Sequence, residues 1–298
     1  MPTLFCFGLG YSASHYIAEF GARFDRIAGT VTTREKAAAM AGAGIGGHKV
    51  EAFVFDGSGA PPQIGAALMN ATALLISVPP REKGDPVLAQ FADTIADAPN
   101  LETIVYLSTV GVYGDHGGAW VDETTPAAPA SERSRERLAA ERAWAALAAP
   151  AGKATLRLSG IYGPGQNALI QVARGSAKRI DKPGQVFNRI HVADIAQGIE
   201  AAFARRVDGI FNVTDDEPTP QGAPISFAAE LLDVTPPPEI PFAEGASGMS
   251  PMALSFYAES KRVKNEKLKR ELGIRLRYPT YREGLRALFE SGEGLEAR

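Results

Sequence analysis

The sequence predicts an α/β fold, a doubly wound parallel sheet with a small C-terminal lobe, and two observations carry this prediction. The chain opens with an apolar run, Leu4 to Phe7, that ends in the glycine turn Gly8-Leu-Gly10 and continues as a helix-like stretch to Phe20. Strand-like and helix-like segments then alternate through the first half of the chain, as in a parallel sheet with helices on both faces. Ligands of such sheets bind at the carboxyl ends of the strands, so the residues there are the first site candidates.

The glycine turn predicts a dinucleotide cofactor, because each small residue in a GxGxxA turn between a strand and a helix serves the phosphates. Gly8 permits the tight turn, Gly10 leaves room for a pyrophosphate, and Ala13 lets helix and strand pack closely. The N–H groups and the dipole at the helix start favour the phosphate charge. Tyr11 and Ser12 complete this part of the predicted cofactor site.

The remaining elements can be placed by their apolar patterns and by the residues that interrupt them. We expect further strands over residues 26–32, 50–56, 71–77, 103–108, 154–158 and 209–213, and helices over 14–20, 33–40, 88–98, 131–149, 195–203 and 260–272. Residues 1–165 then form a dinucleotide-binding domain to which 189–213 return. Residues 166–188 and 214–298, which are richer in Pro and Gly, form a smaller lobe that covers the sheet.

The end of the second strand favours NADP over NAD. A site specific for NAD places an acid there to bind the ribose 2′-hydroxyl, whereas this chain has Thr32-Thr33-Arg34 and no acid before Glu35. Two hydroxyls and a guanidinium suit a 2′-phosphate. The alternative is that Arg34 is an exposed arginine at a helix start.

Three further strand ends extend the predicted cofactor site. Asp56 ends the third strand, where it either binds the adenine amino group or caps its own loop. Ser77 and Val78 follow the fourth strand, and Ser108 ends the fifth. Because parallel strands end at one edge of the sheet, these residues and the glycine turn are expected to lie close together.

Composition excludes several classes of protein. The chain has 298 residues, of which 45% are hydrophobic and 22% charged, with a net charge of −3. This is ordinary for a soluble globular protein and gives no attraction to nucleic acid or to an anionic membrane. The single cysteine, Cys6, excludes an internal disulfide and fits a reducing cytoplasm, and no signal peptide or membrane span is expected. The four histidines lack metal-ligand spacing, so no metal is predicted.

Several stretches, in this order, resemble the extended short-chain dehydrogenase/reductases, the epimerase and dehydratase group with an NAD(P)-binding Rossmann fold. They are the glycine turn and the segments from Tyr106 to Asp115, from Arg157 to Pro164 and from Arg189 to Ile195. Three features look most like the atypical branch of that family. They are the glycine spacing, the Thr-Thr-Arg sequence at the end of the second strand and the segment from Phe187 to His191.

The resemblance implies a Ser/Thr–Tyr–Lys catalytic set, but this chain keeps only its hydroxyl member, Thr109. Counting back from Ala140-Glu141 puts Arg133 at the tyrosine and Arg137 at the lysine. No tyrosine lies between 113 and 162, and no lysine between 83 and 153. An arginine stays protonated at working pH and cannot exchange a proton as tyrosine does.

Other residues remain candidates for the chemistry. Tyr113 and His191 are predicted as alternative acid–base groups, and Tyr257-Ala-Glu-Ser-Lys261 matches the missing Tyr-x-x-x-Lys spacing outside its usual place. The resemblance implies that Arg189, with His191 nearby, faces a substrate phosphate or carboxylate, the alternative for Arg189 being a salt bridge.

Two functions therefore stay open. The first is an NADP-dependent oxidoreductase or epimerase-like enzyme acting on a small molecule, without the Tyr–Lys pair. The second is an NADP-binding redox-sensing or regulatory module without turnover. The sequence is compatible with a homodimer.

Overall fold

The apolar run at the start of the chain forms an interior strand of a seven-stranded parallel sheet. A computed structural model describes residues 1–295. The strands in chain order are β1 Thr3–Phe7, β2 Arg26–Val31, β3 Glu51–Val54, β4 Ala73–Ile76, β5 Thr103–Thr109, β6 Trp120–Val121, β7 Gly152–Leu158, β8 Gly160–Tyr162, β9 Arg179–Asp181, β10 Arg189–His191, β11 Gly209–Val213, β12 Glu239–Pro241 and β13 Arg262–Val263. The large sheet has the order β11-β7-β5-β4-β1-β2-β3. This confirms the predicted doubly wound α/β fold.

The helices lie on both faces of the sheet and in the segments beyond it. In chain order they are α1 Tyr11–Phe20, α2 Arg34–Ala43, α3 Pro62–Leu68, α4 Pro86–Ala96, α5 Glu132–Ala146, α6 Ala168–Ala173, α7 Val192–Arg205, α8 Gly222–Leu231, α9 Phe242–Gly245, α10 Pro251–Tyr257, α11 Glu266–Leu272 and α12 Tyr281–Glu290. None of the helices within residues 1–295 combines the length and apolar character that a membrane span needs.

Strand β1 shows why the sheet is covered on both sides. Its side chains alternate between the faces, with Leu4 and Cys6 in one core and Phe5 and Phe7 in the other. The first core also contains side chains of α1, α7 and α11, and the second contains side chains of α3, α4 and α5. Because both faces are buried, the strand reads as a continuous apolar run.

A third core lies beyond the sheet. It brings together α6, α8 and α12, with the large side chains Leu169, Phe227, Tyr281 and Leu285 among its members. Three two-stranded parallel pairs connect these segments to one another and to the sheet: β8 with β10, β9 with β12, and β6 with β13. These short pairs determine where the chain outside the sheet meets the carboxyl ends of its strands.

The structure corrects the prediction of a single basic helix over residues 260–272. Only Glu266–Leu272 is helical, while Arg262 and Val263 form a short strand paired with Trp120 and Val121. The pairing partner lies about 140 residues away in the chain, so no local pattern indicates it. Helix α3 was not predicted at all, because Pro61, Pro62 and Gly65 interrupt a short apolar segment.

Candidate functional site

The glycine turn is held by β2 and leaves the start of α1 open. The Thr30 hydroxyl accepts the Gly8 N–H at 3.0 Å, and the Thr30 carbonyl accepts the Leu9 N–H at 2.8 Å. Gly8 has a φ of +91°, and a Cβ on it would lie 3.1 Å from Val78 Cγ1. This is the conformation and the close approach that require glycine.

Gly10 stands at the start of α1 with free space above it. A Cβ on Gly10 would meet no atom of residues 1–295 within 4 Å, and no side chain in that range caps the helix. The first N–H groups of α1 have no intrahelical acceptor. In contrast, the buried Ala13 packs into the core, as expected of the third small residue. An uncapped helix start beside a bare glycine fits a bound phosphate group.

The other predicted cofactor residues surround this turn, and some already have partners. Ser12, Ser77 and Ser108 line a cleft at the carboxyl edge of the sheet. The Ser108 hydroxyl donates to Glu141, so it is already engaged. The Tyr11 hydroxyl donates to the Pro164 carbonyl at 2.9 Å and thereby ties α1 to the loop after β8.

The ends of β2 and β3 are exposed. Thr33 caps α2 by accepting the Lys36 N–H at 3.3 Å, and Arg34 is the first residue of that helix, with its side chain in solvent. Asp56 accepts the backbone N–H of Ser58 at 2.9 Å and its hydroxyl at 2.6 Å, which matches the loop-cap alternative. The Arg81 guanidinium donates to the Asp56 carbonyl, a contact that the sequence did not indicate.

The main cleft, as we call the cavity at this edge, has a volume of about 460 Å³. It is bordered by the ends of β5 and β7, the first turns of α5, residues 186–188, the end of α10 and the segment that follows it. Thr109 lines it, as predicted, and the Thr109 side chain accepts the Gly111 N–H at 3.1 Å. A Cβ on Gly111 would lie 3.1 Å from Ser134 Oγ and 3.4 Å from Thr109 Oγ1, so both hydroxyls border one spot.

Arg133 and Arg137, the residues at the family's tyrosine and lysine positions, both line the main cleft. Arg137 is held there because its Nη1 donates to the Leu107 carbonyl at 2.9 Å and its guanidinium lies over the Tyr106 ring. Ser131 caps α5 and donates to Ser134 at 2.9 Å. The cleft therefore has hydroxyls and guanidinium groups where the family pattern has a tyrosine and a lysine.

The structure contradicts the acid–base role predicted for Tyr113. The side chain is fully buried and does not line the main cleft. Its hydroxyl donates to Asn212 Oδ1 at 2.8 Å, and the Arg157 guanidinium lies 4.7 Å from the ring centre. Burial also raises the pKa of Tyr113, so the hydroxyl keeps its proton. Tyr113 stabilises the floor of the site and cannot reach a ligand in the cleft.

His191 is also buried, contrary to the role predicted for it. Its Nδ1 accepts the Ala193 N–H at 3.1 Å and so caps α7, and the ring packs between Tyr162 and Tyr278. Burial lowers the pKa of His191 to about 4. The imidazole is therefore neutral near pH 7 and serves the fold.

Arg189 lines a separate side cavity of about 260 Å³ rather than the main cleft. Its guanidinium donates to the carbonyls of Phe187 and Pro220 and to the Thr219 hydroxyl at 2.7 Å. These acceptors are neutral, and Arg189 makes no ion pair within residues 1–295. The salt bridge predicted as the alternative is therefore absent from this part of the chain. A substrate contact in the side cavity stays a prediction.

The alternative pair Tyr257 and Lys261 does not share a helix face. Helix α10 ends at Tyr257, whose ring packs against Phe187 and Phe242. Lys261 lies beyond the helix, where its Nζ donates to the Gly114 carbonyl at 2.7 Å and pairs with Glu259 at 2.6 Å. The matching spacing is therefore a coincidence of sequence.

Below the cleft lies a buried charged network that sequence reasoning did not find. Arg157 donates to both oxygens of Glu141, with the shortest contact at 2.7 Å, and both side chains are about 4% exposed. This pair joins α5 to β7 and so fixes the helix that carries Arg133 and Arg137.

Within residues 1–295, no group of His, Cys, Asp and Glu is arranged to hold a metal ion.

The fold and the open glycine turn define a protein of the dinucleotide-binding α/β class. A family model for the NAD dependent epimerase/dehydratase family matches residues 88–214. A functionally unknown conserved protein from Silicibacter pomeroyi is 44% identical, with 98% of this chain and 100% of that chain covered and a TM-score of 0.88. The chain belongs to the NAD-dependent epimerase/dehydratase family.

Two more distant structures show the same fold. The dTDP-glucose 4,6-dehydratase from Bacillus anthracis, solved with NAD, is 17% identical over 100% of both chains, with a TM-score of 0.73. The human epimerase family protein SDR39U1, solved with NADPH, is 17% identical over 97% of this chain and 99% of that one, with a TM-score of 0.70. No curated protein matches the sequence significantly.

Proposed function

We propose that the protein is an NADP-dependent oxidoreductase or epimerase-like enzyme that works without a Tyr–Lys pair. The observation that carries this proposal is the open main cleft, with the Thr109 hydroxyl at its wall and the glycine turn at the same edge of the sheet. NADP supplies hydride transfer when bound. The family itself binds NAD or NADP, so the choice between the two rests on residues of this chain.

The residues proposed to hold the cofactor divide by the part that they would bind. The first N–H groups of α1, beside Gly10, would donate to the pyrophosphate, and Thr33 and Arg34 would donate to the 2′-phosphate. Arg34 is exposed and so is free to turn toward a ligand. Thr109 would hold a substrate oxygen, because its hydroxyl hydrogen remains free to donate while its oxygen accepts the Gly111 N–H.

Titration of both reduced cofactors tests this assignment. We expect NADPH to bind roughly ten to a hundred times more tightly than NADH, since a charge-assisted arginine–phosphate contact contributes about 1.5–3 kcal/mol. Arg34→Ala should remove most of this preference and leave NADH affinity unchanged. The exposed Lys36 on the same helix provides the matched control, Lys36→Ala. Equal affinities in the wild type would refute the NADP assignment.

A non-catalytic NADP-binding module is the second candidate, and one observation favours it. Both positions of the acid–base pair hold guanidinium groups, and Arg137 is fixed on the Leu107 carbonyl. A screen of carbonyl and nucleotide-sugar substrates separates the two functions. Oxidation of bound NADPH by any of them favours the enzyme, whereas tight NADPH binding without oxidation favours the module.

The remaining proposals concern the cellular location, the partners and the smaller lobe of the protein. We propose a cytoplasmic protein that acts on a small molecule without nucleic acid or membrane, on the basis of its charge and its single buried cysteine. Residues 166–188 and 214–298 are proposed as the lobe that supplies the substrate side, since residues 186–188 and the segment after α10 border the main cleft.

A further inference from the structure

One face of α5 presents two guanidinium groups to the main cleft. Arg133 and Arg137 lie one helical turn apart and both line it, with Ser134 between them. The hydrogen bond from Arg137 to the Leu107 carbonyl uses one nitrogen and fixes the side chain, so the remaining N–H groups are available. The exposed side chain of Arg133 makes no hydrogen bond and no ion pair within residues 1–295.

The charges around the cleft do not cancel. The lining side chains include three cations, Arg133, Arg137 and Lys261, and one carboxylate, Glu259. Glu259 pairs with Lys261 at 2.6 Å, so within the described part of the chain the two arginines lack a carboxylate partner. Two guanidinium groups at i and i+4 beside a cavity form a site for a planar or tetrahedral oxyanion.

Apolar side chains also line the main cleft. Ile161 and Phe256 are among them and are 38% and 58% exposed. Phe187 lines the cleft as well and is partly buried. A ligand that buries these side chains gains free energy in proportion to the apolar surface removed from water.

We propose that the main cleft binds an amphipathic anion, a carboxylate or a phosphate ester attached to an apolar group. Arg133 and Arg137 hold the oxyanion, and Ile161, Phe187 and Phe256 contact the apolar part. The proposal rests on the proposed function, since it places this ligand as the substrate beside bound NADP. Under this proposal, the face of α5 that carries the two arginines selects the substrate.

The cofactor offers a competing source of negative charge. Its pyrophosphate is assigned to the uncapped start of α1 and its 2′-phosphate to Arg34, and both groups are separate from α5 in sequence. If the cofactor uses the two arginines instead, their removal must weaken NADPH binding. If the substrate uses them, NADPH affinity is unaffected.

The test uses calorimetric titration of the NADPH-loaded protein with phenyl phosphate, benzoate and inorganic phosphate, with benzyl alcohol as the neutral probe. Arg133→Gln is compared with Arg142→Gln, because Arg142 is an exposed arginine on the same helix that does not line the cleft. We expect Arg133→Gln to weaken binding of phenyl phosphate or benzoate about tenfold, whereas Arg142→Gln leaves it unchanged. Benzyl alcohol should bind all three proteins equally.

The outcomes are decisive in each case. Phenyl phosphate or benzoate binding that exceeds that of inorganic phosphate and is weakened about tenfold in Arg133→Gln, but not in Arg142→Gln, supports the proposal. Anion affinity that is absent in the wild type, or equal in the two variants, overturns it, as does a loss of NADPH affinity in Arg133→Gln. If the wild type does not bind NADPH, the proposed function fails, and the same titrations without NADPH then decide the anion site separately.

Discussion

Substitution of the two glycines of the first turn should separate cofactor binding from folding. Gly10 has a φ of −92° and a ψ of −167°, an extended conformation that valine adopts readily, and a Cβ there meets nothing within 4 Å. The helix start is uncapped already, so Gly10→Val should change the free energy of unfolding by no more than about 1 kcal/mol. The protein should therefore fold normally.

NADPH binding should be lost in the same variant. The valine methyl groups occupy the space through which a pyrophosphate approaches the first N–H groups of α1. Each charge-assisted hydrogen bond contributes about 1.5–3 kcal/mol, so the loss of two weakens binding at least about a hundredfold. Titration of NADPH fluorescence measures the affinity, and thermal unfolding measures the fold.

Gly8→Ala is the matched control, because it should lower stability while the space in front of α1 stays open. The φ of +91° is unfavourable for alanine, and the Cβ would lie 3.1 Å from Val78 Cγ1. We expect a cost of about 1–3 kcal/mol in stability, which lowers the melting temperature by a few degrees. If folded Gly10→Val bound NADPH with wild-type affinity, the phosphate site would have to lie elsewhere and the reasoning would be refuted.

Three other substitutions test single contacts. His191→Asn keeps an acceptor for the Ala193 N–H but cannot titrate. Because burial lowers the pKa of His191 from 6.5 to about 4, the unfolded state takes up the proton first, and the wild type should lose up to about 3 kcal/mol as the pH falls from 6.5 to 4. Urea unfolding across this range should show a smaller loss for the variant, and parallel curves would contradict the assignment. Tyr113→Phe should lower stability by about 1–3 kcal/mol by leaving Asn212 Oδ1 without its donor, while NADPH affinity stays the same. Once a substrate is found, Thr109→Val should lower turnover about ten- to a hundredfold and Thr109→Ser should restore it, whereas normal turnover in Thr109→Val would exclude the hydroxyl from the reaction.

The sheet could be predicted from the sequence because its signals are local. The strand at residues 209–213 was located to the residue, and the others within a few residues, since each is an apolar run bounded by turn residues. The glycine turn was equally clear, because the strand before it and the helix after it are its immediate neighbours. The short strand β13 had no such signal, since it is stabilised by pairing with β6, far away in the chain.

The site was harder to predict because the direction of a side chain depends on distant partners. The resemblance implied that Arg189 and His191 face a substrate, yet His191 caps α7, and the neighbouring Asp194 accepts the N–H groups of Arg277 and Tyr278. Tyr113 points at Asn212, which lies 99 residues further along the chain. Nothing near these residues in the sequence distinguishes a group that faces a ligand from one that faces the core.

The position of Arg133 and Arg137 on α5 has a physical reason, and it bears on the meaning of the missing pair. Glu141 is buried in its ion pair with Arg157, so the helix has a fixed rotation about its axis. That rotation turns the residues four and eight positions earlier, Arg137 and Arg133, to the main cleft. The absence of Tyr and Lys is therefore a change of chemistry at positions that face the main cleft. A guanidinium there cannot exchange protons near neutral pH, but it can bind an oxyanion or stabilise one that develops on a substrate oxygen. This face of α5 is suited to charge recognition, and under the proposed function proton transfer falls to groups other than these two arginines.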